Sequence, residues 1–477
     1  MHATLRASHL AILGAAALAC GDSSSGTESG TGSAGVSGVS SSGATDATDS
    51  DSDTTGATTT AGGSGSDSET GATAGTDATT AGTDATTTGV DPTEDVKFDL
   101  GVLPDGGEGG CDSGGDDDNL LFANIWISNS PQGTVSKIDT ETMVEVARYY
   151  TAPSQAGDPS RTSVNLQGDV AVVNRNGSIA KIAATEERCV DLNNNGVIET
   201  STGPNDLLAY GVEECLLWHT ELLPASRPAA WTSGDKIGEG CNAQYVNVKV
   251  WTSGPTGNDA YVYLLDGETG AIEGQVLVPG ANAGLGIYGG AVDPNNDFWG
   301  VTYSAGPLVH VRIDDLSYET IPLPIGSAYG FTVDSKGRSW VGGWTGYLQR
   351  YDPMTQSFTT ASMNGYNGLS RGMMEDANGH LWIAGLSTSA LLRVDTDSAT
   401  LIEVIGADKL AGISTPTGAS VDVNGSVWMV DQVKDGGGAF VFEPDTQEVF
   451  WVGGLQGPYT YSDMTGWALG NVANPQG

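Results

Sequence analysis

Between Ile125 and Trp451 the apolar residues fall into short runs separated by Asp- and Gly-containing turns, and one pattern recurs. A short apolar segment ends in Asp or Asn, a Gly turn follows, and a tryptophan opens the next apolar run. A further run then closes on an acidic residue. The clearest copies are GFTVDSKGRSWVGGWTGYLQRYDPMTQSF, GMMEDANGHLWIAGLSTSALLRVDTDSATL and GASVDVNGSVWMVDQVKDGGGAFVFEPDTQEV. The tryptophans are Trp126, Trp251, Trp299, Trp340, Trp382 and Trp428, the last four lying 41, 42 and 46 residues apart. Runs of four to eight apolar residues bounded by turn signals read as strands, and Lys336-Gly337, Asn378-Gly379 and Asn424-Gly425 suit tight hairpins. Repeats of this length built only of strands close into a ring of blades.

Four strands per repeat and seven repeats predict an all-β, seven-bladed β-propeller of antiparallel blades over residues 119–477. Six blades are marked by tryptophans. The seventh is centred on Val170–Ala183, with Ala171 in the aromatic position. The step from Ala171 to Trp251 is 80 residues, so blade 2 carries an insertion, assigned to 185–214, or else a degenerate eighth blade. After it, the run from Cys215 reads as an outer strand. Blade 1 lacks an inner strand of its own, and Ser462–Leu469 is expected to supply it from the far end of the chain. Such closure removes the exposed sheet edges that template aggregation.

The first hundred residues are a different material. Residues 1–19 carry Arg6 and a short apolar run, the pattern of a secretion signal rather than a bilayer span. Ala17-Leu18-Ala19-Cys20 resembles a bacterial lipobox, which implies lipidation at Cys20 and anchoring through acyl chains in the cell envelope, at the outer membrane or cell surface. Residues 20–95 are Ser, Thr, Gly, Ala and Asp and cannot bury enough surface to order, so they read as a flexible tether. An acidic lead-in follows over 96–118. Net charge is −40: residues 21–100 hold 14 Asp and Glu against one Lys, and residues 101–477 hold 45 against 17 Lys and Arg. That balance argues against nucleic acid as a partner. A monomer is expected, held to a membrane only by its lipid.

Four cysteines remain beyond Cys20, an even number in an exported chain, consistent with two disulfides. Cys189 and Cys215 bracket the insertion and form the favoured pair, leaving Cys111 with Cys241. Inside that loop, Asp191-Leu-Asn-Asn-Asn-Gly-Val-Ile-Glu199 follows the first nine positions of a calcium loop. Oxygens would come from Asp191, Asn193, Asn195, the Val197 carbonyl and Glu199. Thr202 replaces the usual bidentate Glu, and Asp206 is the substitute carboxylate. The predicted role is a weak structural Ca²⁺ site.

Candidate ligand-binding residues cluster at the ends of inner strands. Ser160-Arg161, Ser226-Arg227 and Ser370-Arg371 precede or open inner strands of three blades, while Tyr288, Tyr329 and Tyr461 hold similar positions elsewhere. Asn174, Arg175, Tyr303, Trp344 and Asp431 follow second strands. Arginine offers a planar fork for carboxylate, sulfate or phosphate, and the aromatic rings offer stacking faces. These residues predict an anion-binding, aromatic-lined channel mouth. The alternative is that each arginine merely staples neighbouring blades. Asp293, Asp334, Asp376 and Asp422 precede hairpins and read as Asx residues, and the tryptophans read as core.

The segments Gly330–Asp352 and Gly372–Asp395 resemble the streptogramin B lyase (virginiamycin B lyase) family and its NHL-like and SMP-30-like relatives, over roughly residues 125–467. The resemblance implies a seven-bladed propeller and, for lyase members, ring opening by elimination with a His base and Mg²⁺ held by Glu. The chain departs from that pattern. His219, His310 and His380 are the histidines beyond the signal, and Glu375 with His380 or His310 is the nearest approximation to the catalytic set. The leading expectation is therefore a non-catalytic scaffold for a ligand or protein partner. The alternative is a lyase-like or lactonase-like metal-dependent enzyme.

Overall fold

The computed structural model describes residues 123–238 and 244–473. The signal segment, Cys20, the tether, the lead-in, Cys111 and Cys241 lie outside these residues. Six sheets of four antiparallel strands and one of three form seven blades. Blade 6 is typical: Leu369–Glu375, His380–Leu386, Ala390–Asp395 and Thr400–Ile405 pair in chain order. The six tryptophans are each no more than 2 % exposed and fill the space between sheets.

Blade 1 has the three strands Asn124–Asn129, Thr134–Asp139 and Val144–Tyr150. Its inner edge is completed from the C-terminus: the Trp126 amide donates to the Met464 carbonyl at 2.9 Å and the Tyr459 amide to the Ser128 carbonyl at 3.0 Å. Asn129 bridges Pro458 in antiparallel sense. Closure from the far end is as expected, but the paired segment is Pro458–Met464, and Trp467–Ala473 is a helix rather than a strand. Two local features make that switch. Gly466 turns at φ +85°, breaking the extended run. Asp463 accepts amide hydrogens from Gly466 at 2.7 Å and Leu469 at 3.0 Å, satisfying donors at the helix start. Leu469 and Val472 then pack with Ala230, Trp231 and Val292, and Trp467 packs with Met374 and Val421. The helix thereby stops one end of the channel, leaving a cavity of about 30 Å³, room for a water or two.

Blade 2 is built as expected, with Leu216–Glu221 as outer strand after the insertion. Cys189 and Cys215 are joined by a disulfide. No eighth blade occurs among the described residues. The 80-residue step is absorbed by the insertion together with a small hairpin, Asp235–Ile237 against Gln244–Val246, between the first two strands of blade 3.

Four buried carboxylates are held above their ordinary range by desolvation: Asp422 and Asp463, both pushed up to about 6, and Glu213 and Glu375. Each binds more protons folded than unfolded. The stability this contributes is fully present below the unfolded value of 3.8 for Asp and is lost as pH rises through about 6. His219, lowered by burial, acts in the opposite sense. Exposed carboxylates lowered by turn hydrogen bonds, such as Asp266 and Asp395, lose their contribution only at more acidic pH. The thermal midpoint is therefore expected to rise by a few degrees between about pH 7.5 and pH 5.5 at fixed ionic strength, and to fall below about pH 4. Melts recorded across that range check it, and a steady decline through the upper window would contradict it.

Candidate functional site at the channel mouth

The inner strands do not run regularly to their channel ends. Pairing slips between Pro159 and Arg161, between Ile287 and Gly289, between Ser370 and Met373, and beside Arg227. A bulge at this position re-aims one side chain per blade, and the residues there are Arg161, Arg227, Tyr288 and Arg371. Tyr329 occupies the matching place just before the short inner strand of blade 5, and the blade-closing segment contributes Tyr459 and Tyr461.

These side chains form one layered nest. The Arg161 guanidinium lies 4.7 Å from the Tyr288 ring centre and 4.3 Å from that of Tyr461. Arg227 lies 5.2 Å from Tyr288, and Arg371 5.5 Å from Tyr329. The phenol oxygens converge: Tyr288 and Tyr459 are 2.7 Å apart, Tyr329 and Tyr459 2.8 Å, and Tyr461 and Tyr329 3.1 Å. Burial pushes the Tyr288 and Tyr459 phenols up to about 12, so they act as neutral donors and acceptors. The arginines also hold the ring of blades together. Arg161 donates to the Tyr288 carbonyl from Nε at 3.3 Å and Nη2 at 3.2 Å, and to the Ser160 carbonyl from Nη1 at 2.7 Å. Arg371 donates to the Pro416 carbonyl at 2.8 Å and Arg227 to that of Ala225 at 3.0 Å. In Arg161 and Arg371 stapling and positive charge thus coexist, while Arg227 bonds within the segment leading into its own strand and reaches blade 4 through the Tyr288 ring.

Above this floor, Tyr303 is half-buried and Trp344 is 36 % exposed, its ring edge-on to Tyr329 at 5.1 Å. Arg175 pairs with Asp158 and stacks on Tyr459 at 5.2 Å. Two other expected mouth residues serve local structure instead. Asn174 is buried and bonded to Thr151 and Ser178. Asp431 is buried and accepts amide hydrogens from Ser414, Thr415, Val433 and Lys434. Tyr459 was missed by sequence reasoning, although the alternation Tyr459-Thr-Tyr461 places both rings on one face of an extended segment.

The histidines and Glu375 lie elsewhere. Glu375 ends the inner strand of blade 6 at the helix-stopped end, where it accepts the Ser335 amide at 2.6 Å and the Thr396 hydroxyl at 3.2 Å. His380 faces Asp376 at 3.3 Å in the adjoining turn. His310 sits in the third strand of blade 4 with Asp297 and Glu319, two blades away in chain order. The residues that converge in the channel mouth are arginine and tyrosine.

In the blade 2 insertion, Asp191 accepts amide hydrogens from Asn195 at 3.2 Å and Gly196 at 2.8 Å. Glu199 accepts from the side chains of Asn193 and Asn195 at 2.9 and 2.7 Å. The loop is thus curled so that its oxygen-bearing side chains face one another. Asp206 is engaged by the Thr202 amide and hydroxyl.

No family model matches the chain, and no curated protein matches it in sequence. Solved structures are similar to it in fold. A streptogramin B lyase is similar at 16 % identity and TM-score 0.44, covering 64 % of this chain and 86 % of that one. Citrobacter koseri AztD is similar at 13 % and 0.44, covering 71 % and 96 %. A functionally unknown protein from Desulfotomaculum acetoxidans is similar at 12 % and 0.50, covering 71 % and 99 %. The described chain is a seven-bladed β-propeller, and its likeness to these proteins is one of fold.

Proposed function

We propose that this protein is an exported, lipid-anchored scaffold whose propeller, held away from a membrane by the residue 20–95 tether, binds an anionic ligand with a flat or apolar portion at the channel mouth. One observation carries the reading. In a chain of net charge −40, Arg161, Arg227 and Arg371 are gathered in one channel and stacked on tyrosines, beneath the more open rings of Tyr303 and Trp344. A fixed positive field focused in a low-dielectric cleft favours an anion, and an exposed indole adds a stacking face. Elimination or hydrolysis in the channel would need a titratable base near the ligand, and Glu375, His310 and His380 are placed away from the mouth. The insertion loop supports a second, structural element: a weak Ca²⁺ site braced by Cys189–Cys215.

Thermal unfolding of the mature chain against acidic sugars, sulfated compounds, acidic peptides and a streptogramin B compound tests the reading. A ligand at 100 times its Kd stabilises by about 2.7 kcal/mol, giving a shift of roughly 2 °C or more. Trp344→Ala, at an exposed position, is expected to weaken that ligand by about tenfold without lowering the unliganded midpoint. Absence of any shift with every anionic ligand, or a shift indifferent to Trp344→Ala, would sink the proposal. A Ca²⁺-dependent rise lost in Asp191→Asn would report the insertion loop separately.

A further inference from the structure

At the helix-stopped end of blade 4, three side chains from different local elements meet. Asp293 precedes the first hairpin, Asp297 closes it, and His310 lies on the third strand directly opposite Trp299. One ligand atom of each lies within 4.8 Å of the others. We propose that Asp293, Asp297 and His310 form a binding site for a first-row divalent cation of the zinc type, with Glu319 orienting the histidine.

The sister blades make the case. Blades 2, 5, 6 and 7 share three positions with blade 4: an Asx residue six before the tryptophan (Ala171 in blade 2), a residue two before it, and its cross-strand partner. In blade 5 these are Asp334, Arg338 and Arg350, and Arg338 pairs with Asp334 at 2.6 Å. In blade 6 they are Asp376, His380 and Arg393. In blade 2 they are Asn165, Asp169 and Lys181, where the single carboxylate meets both Lys181 and Arg188. Asp334 and Asp169 are each matched by a cation, and Asp376 meets His380 while Arg393 turns to Glu403 at 3.2 Å. In blade 7 the three positions are Asp422, Ser426 and Val441, a lone acid with neutral neighbours. Blade 4 alone of these places two carboxylates, Asp293 and Asp297, against one imidazole, while Glu319 on the far side of the ring is also met by Arg312 at 3.5 Å. A bound cation supplies the missing positive charge.

The geometry is suited to a metal. His310 Nδ1 lies 2.9 Å from Glu319 Oε1, the arrangement in which the Nδ1–H donates to the carboxylate and Nε2 keeps its lone pair for a metal. The ring is further fixed by stacking on Trp299 at 4.0 Å and an interplanar angle of 10°. His310 Nε2 and Asp297 Oδ2 are 3.3 Å apart. That is long for a charge-assisted hydrogen bond, but close to the edge of about 3.4 Å between two ligands bound at about 2.0–2.1 Å on a tetrahedral centre. The other Asp297 oxygen is held by the Ile313 amide at 2.8 Å. Asp293 is held by the Asn295 amide at 2.8 Å and the Trp299 indole at 3.1 Å, so both carboxylates are oriented from behind. One nitrogen with two carboxylates selects a borderline cation over the all-oxygen preference of Ca²⁺ or Mg²⁺. Such an ion would tie the third strand of blade 4 to its first hairpin.

The test uses the untagged mature chain, stripped with EDTA and titrated with Zn²⁺ against a chromogenic chelator. The parent is expected to bind Zn²⁺ at this site, with Asp297→Asn and His310→Gln each weakening it by at least about tenfold and Glu319→Gln by about tenfold. A double variant, Asp297→Arg with His310→Arg, rebuilds the Arg338 and Arg350 arrangement of blade 5. It is expected to fold without metal and to lose the site, which keeps the test decisive if a single variant fails to fold. The parent midpoint should rise with Zn²⁺ and the double variant's should not. No Zn²⁺ binding by the parent, or binding undiminished in the double variant, would overturn the proposal.

Discussion

A chain lacking residues 458–477 is expected to give no cooperative unfolding transition. The segment closes the ring, and its loss removes the amide–carbonyl bonds from Trp126 to Met464 and from Tyr459 to Ser128. It also removes Tyr459 and Tyr461 from the channel, so that Arg161, buried in the intact ring, loses one of its two stacking partners. Met464, Trp467, Leu469 and Val472, all buried, leave the base. Full burial of one such side chain is worth about 1.5–3 kcal/mol, so six or so sum to on the order of 10 kcal/mol. That rivals the whole margin of about 5–15 kcal/mol by which a domain is stable. Deleting only 467–477 leaves the closing strand in place and removes the helix stopper, so that variant should fold with a markedly lower midpoint. Circular dichroism melts of the two truncations decide. Cooperative melting of the 458–477 deletion near the parent midpoint would show that closure contributes little.

Much of this architecture was legible because each blade repeats the same local problem. Over the last four blades a tryptophan every 41 to 46 residues, preceded by an Asx turn, can be read directly from the chain. The pair Cys189–Cys215 was legible for a similar reason, since both residues bracket one insertion. What escaped was what depends on register across strands. Asp293, Asp297 and His310 look unrelated in sequence and meet only because Trp299 pairs with His310. Trp467–Leu469 read as the end of the Ser462–Leu469 strand because its apolar content is compatible with either state, and only the Asp463 carboxylate and the turn at Gly466 decide for a helix. The hairpin at 235–246 has three-residue strands with exposed or polar positions and little periodic signal. At the mouth, the Ser-Arg dipeptides marked side chains that do gather in the channel, but Asn174 and Asp431 were indistinguishable from them until their loop partners were visible. Arg161 and Arg371 bond to carbonyls of other blades and also carry positive charge in the channel, so stapling does not by itself exclude a ligand there.

Substituting Asp376 by alanine should be the most damaging single change on the turn face of blade 6, lowering stability by about 3–5 kcal/mol. The four Asx aspartates do more than close their turns. Asp376 Oδ1 accepts the Asn378 and His380 amides at 2.9 Å each, and Oδ2 accepts the Trp382 indole at 2.8 Å. The same indole contact recurs at Asp293, Asp334 and Asp422, at 3.1, 2.9 and 2.8 Å. One carboxylate therefore fixes the hairpin and, through it, the rotamer of the core tryptophan. Alanine leaves three donors unmet, two of them on the turn and one on a fully buried ring. A buried donor without a partner costs about 1–3 kcal/mol, partly recovered where water reaches the turn amides. Asparagine keeps one acceptor for the turn but turns an NH₂ group toward the indole, so Asp376→Asn should lose only about 1–2 kcal/mol. Trp382→Phe removes the indole donor and leaves the turn intact. Urea unfolding of the three variants should therefore rank alanine as most destabilised, with asparagine well behind. Equal losses for alanine and asparagine would mean that the turn amides contribute nothing. Because the clamp lies at the end of the blade away from Arg371, these variants should leave ligand-induced shifts at the mouth unchanged, which separates an acid that holds the fold from one that serves binding.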